Sequence, residues 1–372
     1  MDFGALDLPI TTTEKEVVMT AVGSYQVLAQ QSDTALDGNA MGDILAADGT
    51  TPIKSSNDPD FNGVISDGGT GYYVYTNWED RPGGMGRVHV DNLTGTGYGT
   101  VTLDGMLDFS SVGGTWVNCF GTVSPWGTPH SAEELYFDNT ADWFDAGYQY
   151  FSNPQSLATY LGYPTDGSGD WPNPYRYGYI VEMTNPADGV LANVVPNKLE
   201  TLGRFSHENS VVMPDLKTVF LSDDGTGVVF FKFVADVAGD LSAGTLYGAK
   251  VTQANATDPQ EAAFAIEWIE LGSMTETDIE TAIASYDGTF AAANYISDEE
   301  ICDWAESKTT TDLDCDTDTT VDANPFADDR VAFLESRKAA VALGATGEFR
   351  KMEGVNINWT LASDWWNAGA AD

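Results

Sequence analysis

Short runs rich in Val, Tyr, Phe and Thr, each closed by Gly, Asp, Asn or Pro, recur along this chain to about residue 300. They are GYYVYTNWED at 71–80, GRVHVDNL at 86–93, YGYIVEMTNPADG at 177–189, KTVFLSDDGTG at 217–227, GVVFFKFVADVAGD at 227–240 and GTLYGAKVTQ at 244–253. Each predicts a strand bounded by turn chemistry, because Gly, Asn and Asp supply backbone angles that β-branched residues resist. Strands at this spacing imply a sandwich, barrel or propeller and argue against alternating βαβ units. Two of the runs, YIVEMTNPADG and VVFFKFVADVAGD, look alike, as blade repeats would, although the repeat is too degenerate to count blades.

Helical signals are few. SAEELY at 131–136 predicts one turn, with Ser131 as cap and Glu134 three residues on. DDRVAFLESRKAAVAL at 328–343 predicts a longer helix, with Asp at its start and Gly344 at its end. Ahead of it lies DLDCDTDTTVDAN at 312–324, the most acidic stretch, which reads as a solvated loop or a calcium site; no EF-hand frame can be drawn through it. Of the tryptophans, Trp116, Trp126, Trp171, Trp268, Trp359, Trp365 and Trp366 read as core rather than as a sugar-stacking platform.

Charge limits the partners. The chain has 57 Asp plus Glu against 16 Lys plus Arg, a formal net charge of -41, so it lacks the clustered cations that grip a phosphate backbone. Nucleic acid is therefore excluded as a partner, and an anionic membrane surface would be repelled. The apolar content, 42% of residues with 10 Trp, is nevertheless enough to build a sizeable core. No apolar run reaches the roughly 18 residues that a membrane span needs. MDFGALDLPITTTEKEVV at the N-terminus has neither a basic nor an apolar signal region.

Three cysteines occur, Cys119, Cys302 and Cys315. Cys302 and Cys315 could form a local disulfide, which would leave Cys119 as an odd thiol with a metal or reactive role; alternatively all three are unpaired and Cys119 is a small buried hydrophobe. With only His89, His130 and His207, a His-rich zinc site is disfavoured. A nucleophile elbow, a Walker A loop, a zincin motif and a dinucleotide fingerprint are all missing from the sequence.

Carboxylate chemistry remains, concentrated in four places. In NCFGTVSPWGTPHSAEE, Cys119 and the pair Glu133–Glu134 flank a Gly- and Pro-rich hairpin, and thiolate plus carboxylate is a ligand set for iron or another borderline metal. The second place is GRFSHEN, with Arg204, His207 and Glu208; the third is SDDG, with Asp223 and Asp224. In FRKMEG, the cations Arg350 and Lys351 stand beside Glu353, as suits a site that holds a metal and an anion together. Each also has a plain reading as a turn or a solvated loop.

In order, NCFGTVSPWGTPHSAEE, GRFSHE, LSDDG followed by FFKFV, GTLYGAKV and FRKMEGVNI resemble the PhoX-type alkaline phosphatases, from about Leu8 to the C-terminus. The resemblance implies an all-β fold, a six-bladed β-propeller with short helical insertions. Residues 1–372 would form a single domain, with 328–343 as a helical insertion. It also implies a phosphomonoesterase with Fe3+ and Ca2+, exported by the twin-arginine route to the periplasm or beyond. By the family pattern, Cys119, Glu208 and Glu353 bind metal, and Glu134 is carried over with them. His207, Arg204, Asp223 and Asp224 would support these ligands, with His207 bracing Glu208. The family's phosphate-binding Arg precedes its Glu in R-P-E-G, where this chain has Lys351-Met352; Lys neutralises phosphate only as a point charge, and Arg350 could substitute.

Two departures stand out. The export signal is missing, and the chain stops soon after the Glu-Gly motif, so it reads as a fragment whose propeller is incomplete at the C-terminus. The expected partners are small phosphate esters, and the expected state is a monomer. The alternatives are a non-catalytic, calcium-binding acidic propeller and a phosphodiesterase- or phytase-like relative on the same fold. On any of these readings, so negative a field repels an anionic substrate until bound cations reverse its sign locally.

Overall fold

The computed structural model describes residues 26–367 except 92–98 and the loop positions 136, 138, 167–168, 256, 259–260, 289–290, 314, 316 and 318. A short pair, β1 (Asp43–Leu45) and β2 (Pro52–Ser55), precedes the first large sheet. That sheet contains β3 (Pro59–Ser66), β4 (Tyr72–Trp78), β5 (Gly84–Asp91) and β6 (Thr100–Met106). The second contains β7 (Asn118–Val123), β8 (Pro129–Glu133), β9 (Ile180–Thr184) and β10 (Val195–Leu199). The third contains β11 (His207–Val212), β12 (Thr218–Asp223), β14 (Phe231–Val237), β15 (Asp240–Gln253) and β16 (Phe264–Thr275). In all three, each strand pairs antiparallel with its neighbour in sequence. Only β13 (Thr226–Val228) stands apart, pairing with β17 (Phe349–Arg350).

The six runs marked in the sequence fall on β4, β5, β9, β12, β14 and β15. Alternation orients them: Tyr73 and Tyr75 of β4 point inward, and Phe231 and Phe233 of β14 do the same. The largest core packs Val219, Leu221, Phe231, Phe233 and Leu246 of the third sheet against Trp304, Val331 and Phe333 of the helical segments. A second, aromatic core gathers Trp116, Phe137, Trp143 and Tyr177 under α1 (Ser152–Tyr160). Trp116 and Trp171 are buried as expected. Trp126 and Trp359 instead reach the surface, and Trp126 donates to the Glu182 carboxylate.

The helical expectations need correction. Ser131 does not cap a turn: it lies in β8, between β7 and β9, and its hydroxyl donates to Asn77 Oδ1. Strand pairing on both sides overrode a local capping signal. The 328–343 segment is two short helices, α4 (Arg330–Leu334) and α5 (Ser336–Ala342). Between them the Glu335 backbone leaves helical geometry, and its buried carboxylate accepts hydrogen bonds from Thr140 and Tyr175. Helices α2 (Glu276–Ala284) and α3 (Asp298–Thr309) carried readable signals that the strand-dominated pattern masked. Thr275 caps α2, and Ser297 with Glu300 forms a full capping box on α3. One more helix, α6 (Trp359–Asn367), follows β17.

Cys302 in α3 is bonded to Cys315. The acidic stretch 312–324 is thereby tied to α3, and buried Glu306 accepts the backbone N–H groups of Leu313 and Asp322. Positions 314, 316 and 318 of that stretch lie outside the described residues.

Candidate metal centre

Each large sheet presents its first strand as an edge, and β7 packs beside both β3 and β11. These three edge strands share one irregularity. Between Pro59 and Asn62, Asn118 and Gly121, and His207 and Ser210, each spends three residue steps where its partner strand spends two. That is a β-bulge, which bends a strand and re-aims a side chain. The bulged residues are Asp60–Phe61, Cys119–Phe120 and Glu208–Asn209. The first residue of each pair supplies a metal-type donor, and the three donors converge.

Cys119 is their common point. Its Sγ lies 3.0 Å from Asp60 Oδ2, 3.9 Å from both Glu208 carboxylate oxygens and 4.0 Å from Glu79 Oε2. Cys119, Glu134 and Glu208 are all buried, and one ligand atom from each lies within 4.8 Å of the others. Asp60, Glu79 and Cys119 meet the same limit on a more open side. Glu134 hydrogen-bonds both Glu208 and Asp224, and Asp224 Oδ2 accepts from Lys351 Nζ at 2.6 Å.

So many acids in so little water hold protons. Burial pushes the Glu134 carboxyl up to about 10, reinforced by its hydrogen bond to Asp224 and by the charge of Glu208. Burial likewise raises Glu208 to about 8, with the charges of Glu353 and Asp224 adding to it. The Cys119 thiol is driven far above its usual range by burial, by its hydrogen bond to Asp60 and by Glu208. Glu79 is raised by burial and by Asp58. Asp224 goes the other way: burial opposes ionisation, but hydrogen bonds from Glu134 and Lys351 together hold it low. A thiol and carboxylates whose ionisation is opposed by burial and by one another's charge fit a cation: an ion would replace protons held there with bonds these groups accept readily.

The other residues singled out in the sequence separate into three groups. Lys351 joins the cluster through Asp224, while Glu353 is exposed yet near enough for its charge to act on Glu208 and Lys351. Arg350 pairs with Thr226 in the β13–β17 ladder and is exposed. The expected supporting roles of His207, Arg204 and Asp223 are corrected. His207 neighbours Glu208 along β11, but its Nε2 binds the Gly203 carbonyl at 2.8 Å and its ring stacks on Phe205. Arg204 is buried over Tyr175 and donates to the Pro174, Tyr177 and Leu334 carbonyls, tying α4 to the segment ahead of β9. Asp223 is held by the Arg337 guanidinium of α5 at 2.6 and 2.9 Å.

Glu133 and Glu134 show why adjacent acids need not share a role. Glu133 turns to the opposite side, where it accepts the N–H groups of Trp116, Gly178 and Tyr179 and pairs with buried Lys198 at 3.0 Å. Glu133→Ala is expected to cost about 3–5 kcal/mol in urea unfolding, because it strands a buried ammonium and three amides. Lys198→Met should cost less, since those amides still hold Glu133.

Asp60 and Glu79 went unmarked in the sequence. Each sits in an ordinary strand-end context, DPDFNG and NWED, and no local spacing ties either to Cys119. Only the recurrence of the bulge in three sheets would have flagged Asp60.

The family model described as "Alkaline phosphatase PhoX" matches residues 73–368, a span that includes Glu79, Cys119, Glu134, Glu208 and Glu353. Among solved structures, the chain is similar to Pseudomonas fluorescens PhoX in complex with vanadate, a transition state analogue. The two share 19% sequence identity with a TM-score of 0.52, over 87% of this chain and 61% of that one. At that identity the likeness concerns the fold alone, and the chain spans less than two thirds of that structure's length. No curated protein matches.

Proposed function

The chain belongs to the PhoX alkaline phosphatase family, and on that premise we propose that it hydrolyses phosphate monoesters at a metal centre built on Cys119, Glu134 and Glu208. The observation that carries this reading is the buried cluster itself: three donors from three separated segments, within 4.8 Å of one another. Fe3+ suits the thiolate-containing set and Ca2+ the carboxylate-rich side of Asp60 and Glu79. Glu353 would complete the carboxylate set from the segment that carries Lys351. The three meander sheets would belong to a six-bladed propeller, with α1 to α5 as insertions in one domain. The family membership supports a location in the periplasm or beyond.

Bound cations would supply the positive charge that neutralises phosphoryl oxygens and acidifies water. The chain's own groups do the rest. The bulges hold the donors rigidly, because each lies between two ladder pairs. Lys351, its ammonium anchored on Asp224, offers a point charge to a phosphate oxygen, and Arg350 lies next along the strand. Burial of Cys119, Glu134 and Glu208 limits water around the reacting atoms and strengthens each electrostatic contact.

The test is hydrolysis of p-nitrophenyl phosphate against bis(p-nitrophenyl) phosphate by protein loaded with Fe3+ and Ca2+, beside elemental analysis. Monoester turnover that a chelator abolishes, with iron present, is the expected result. Calcium alone with no turnover would establish the acidic scaffold instead, and preferred diester cleavage would move the substrate class.

A further inference from the structure

The second residue of the bulge differs among the three sheets. In β3 and β7 it is aromatic, Phe61 and Phe120, whose rings meet edge to face at 6.1 Å. In β11 it is Asn209, which is 2% exposed. A buried primary amide in a place where the other sheets carry Phe must be satisfied on both sides to be tolerated.

It is. Asn209 Oδ1 accepts the Val355 N–H at 2.9 Å, and its amide nitrogen donates to the Val355 carbonyl at 2.9 Å. The Ser222 hydroxyl donates to the same Oδ1 at 3.0 Å, and the Asn209 backbone N–H donates to Ser222 Oγ at 3.3 Å. This network fixes the amide orientation, since reversing it would set NH2 against the Val355 N–H. The side chain thus makes the two bonds that a neighbouring strand would offer the Val355 backbone. From the other side, Phe120 confines the same segment: a Cβ on Gly354 would stand 2.9 Å from Phe120 Cε1 and 3.8 Å from Asn209 Cγ. Upstream, the Lys351 N–H donates to the Gly225 carbonyl at 2.9 Å.

We propose that Asn209 is a positioning residue that clamps the 351–355 segment against the cluster, setting Lys351 over Asp224 and Glu353 beside Glu208. Glu208 and Asn209 then divide the work of one bulge, one holding a cation and the other holding the strand that brings the remaining charges. As a statement about catalysis, this rests on the function proposed above; as a statement about the clamp, it does not.

The experiment is amide hydrogen exchange on Asn209→Ala, read at Val355 and at the β11–β12 ladder, alongside kcat and KM for p-nitrophenyl phosphate in metal-loaded protein. Val355 exchange should accelerate on the order of fivefold or more, the ladder amides should keep their protection, and kcat/KM should fall roughly 10- to 100-fold. Should Asn209→Ala not fold, Gly354→Ala displaces the segment by collision with Phe120 and is expected to give the same exchange pattern. Unchanged exchange at Val355 would overturn the clamp, and so would faster exchange with unaltered kcat/KM in an active enzyme. Faster exchange in a protein that hydrolyses no phosphate ester would leave the clamp standing and remove the proposed function.

Discussion

Cys119→Ala is expected to cut metal-dependent phosphatase activity by at least ~100-fold and to lower iron content in parallel. The size follows from position. The thiol sulfur is the one atom that belongs to both donor triads, so its loss opens both at once. Losing a group that merely orients a ligand already costs roughly 10- to 100-fold in metal affinity or activity, and losing the ligand should cost no less. Fold stability should change little, by about 1 kcal/mol, because the side chain is small and its neighbours are acids already short of positive charge. Elemental analysis, p-nitrophenyl phosphate turnover and urea unfolding on one preparation separate these effects. Full activity in Cys119→Ala would exclude the thiol from the site. Glu353→Ala makes a useful companion: Glu353 is exposed, so a comparable loss of activity would have to come from charge and ligation rather than from packing.

Metal-free protein is expected to lose stability as pH rises, the reverse of the usual acid denaturation. Glu134 and Glu208 have ordinary values of 4.5 and are raised in the fold to about 10 and about 8, mainly by burial. Above pH 4.5 the unfolded chain has released those protons while the folded chain still holds them. The folded state therefore binds more protons, and stability falls with pH. The contribution is complete below about 4.5, falls as pH rises above it, and is fully lost once pH has passed about 8 for Glu208 and about 10 for Glu134. Cations replace those protons, so loading Fe3+ and Ca2+ should flatten the profile and release protons into the buffer. Thermal melts from pH 5 to 9 with and without metals would read the first effect. Calorimetry in buffers of differing ionisation enthalpy would read the second. Parallel melting profiles, or binding without proton release, would count against these carboxyls as ligands.

The sites differ in how far they could be read from the sequence, and the reason is the range of the signal. Strand runs such as KTVFLSDDGTG are legible because alternation and turn chemistry act within ten residues. The same locality explains the error at Ser131, where a valid capping pattern lost to strand neighbours on both sides. It also explains Glu335, whose break between α4 and α5 is set by Thr140 and Tyr175, residues far away in sequence. His207 and Arg204 stood in the right motif but spend their polar atoms elsewhere: His207, the strand neighbour of Glu208, binds the Gly203 carbonyl, and Arg204, outside β11, binds distant backbone carbonyls. Asp60 and Glu79 carried no local mark.

The sequence by itself narrowed the candidate donors and determined much of the secondary structure. An acidic, His-poor chain points to thiolate and carboxylate donors, and short punctuated β runs point to antiparallel sheet, whereas the Cys302–Cys315 bond that leaves Cys119 as the free thiol is seen only in the structure. Tertiary structure alone decided which acids meet. Burial beside like charge, not composition, sets the protonation of Glu134 and Glu208. The shared three-for-two bulge, a property of strand pairing rather than of any one segment, aims Asp60, Cys119 and Glu208 at a common point while Asn209 holds Val355 in place.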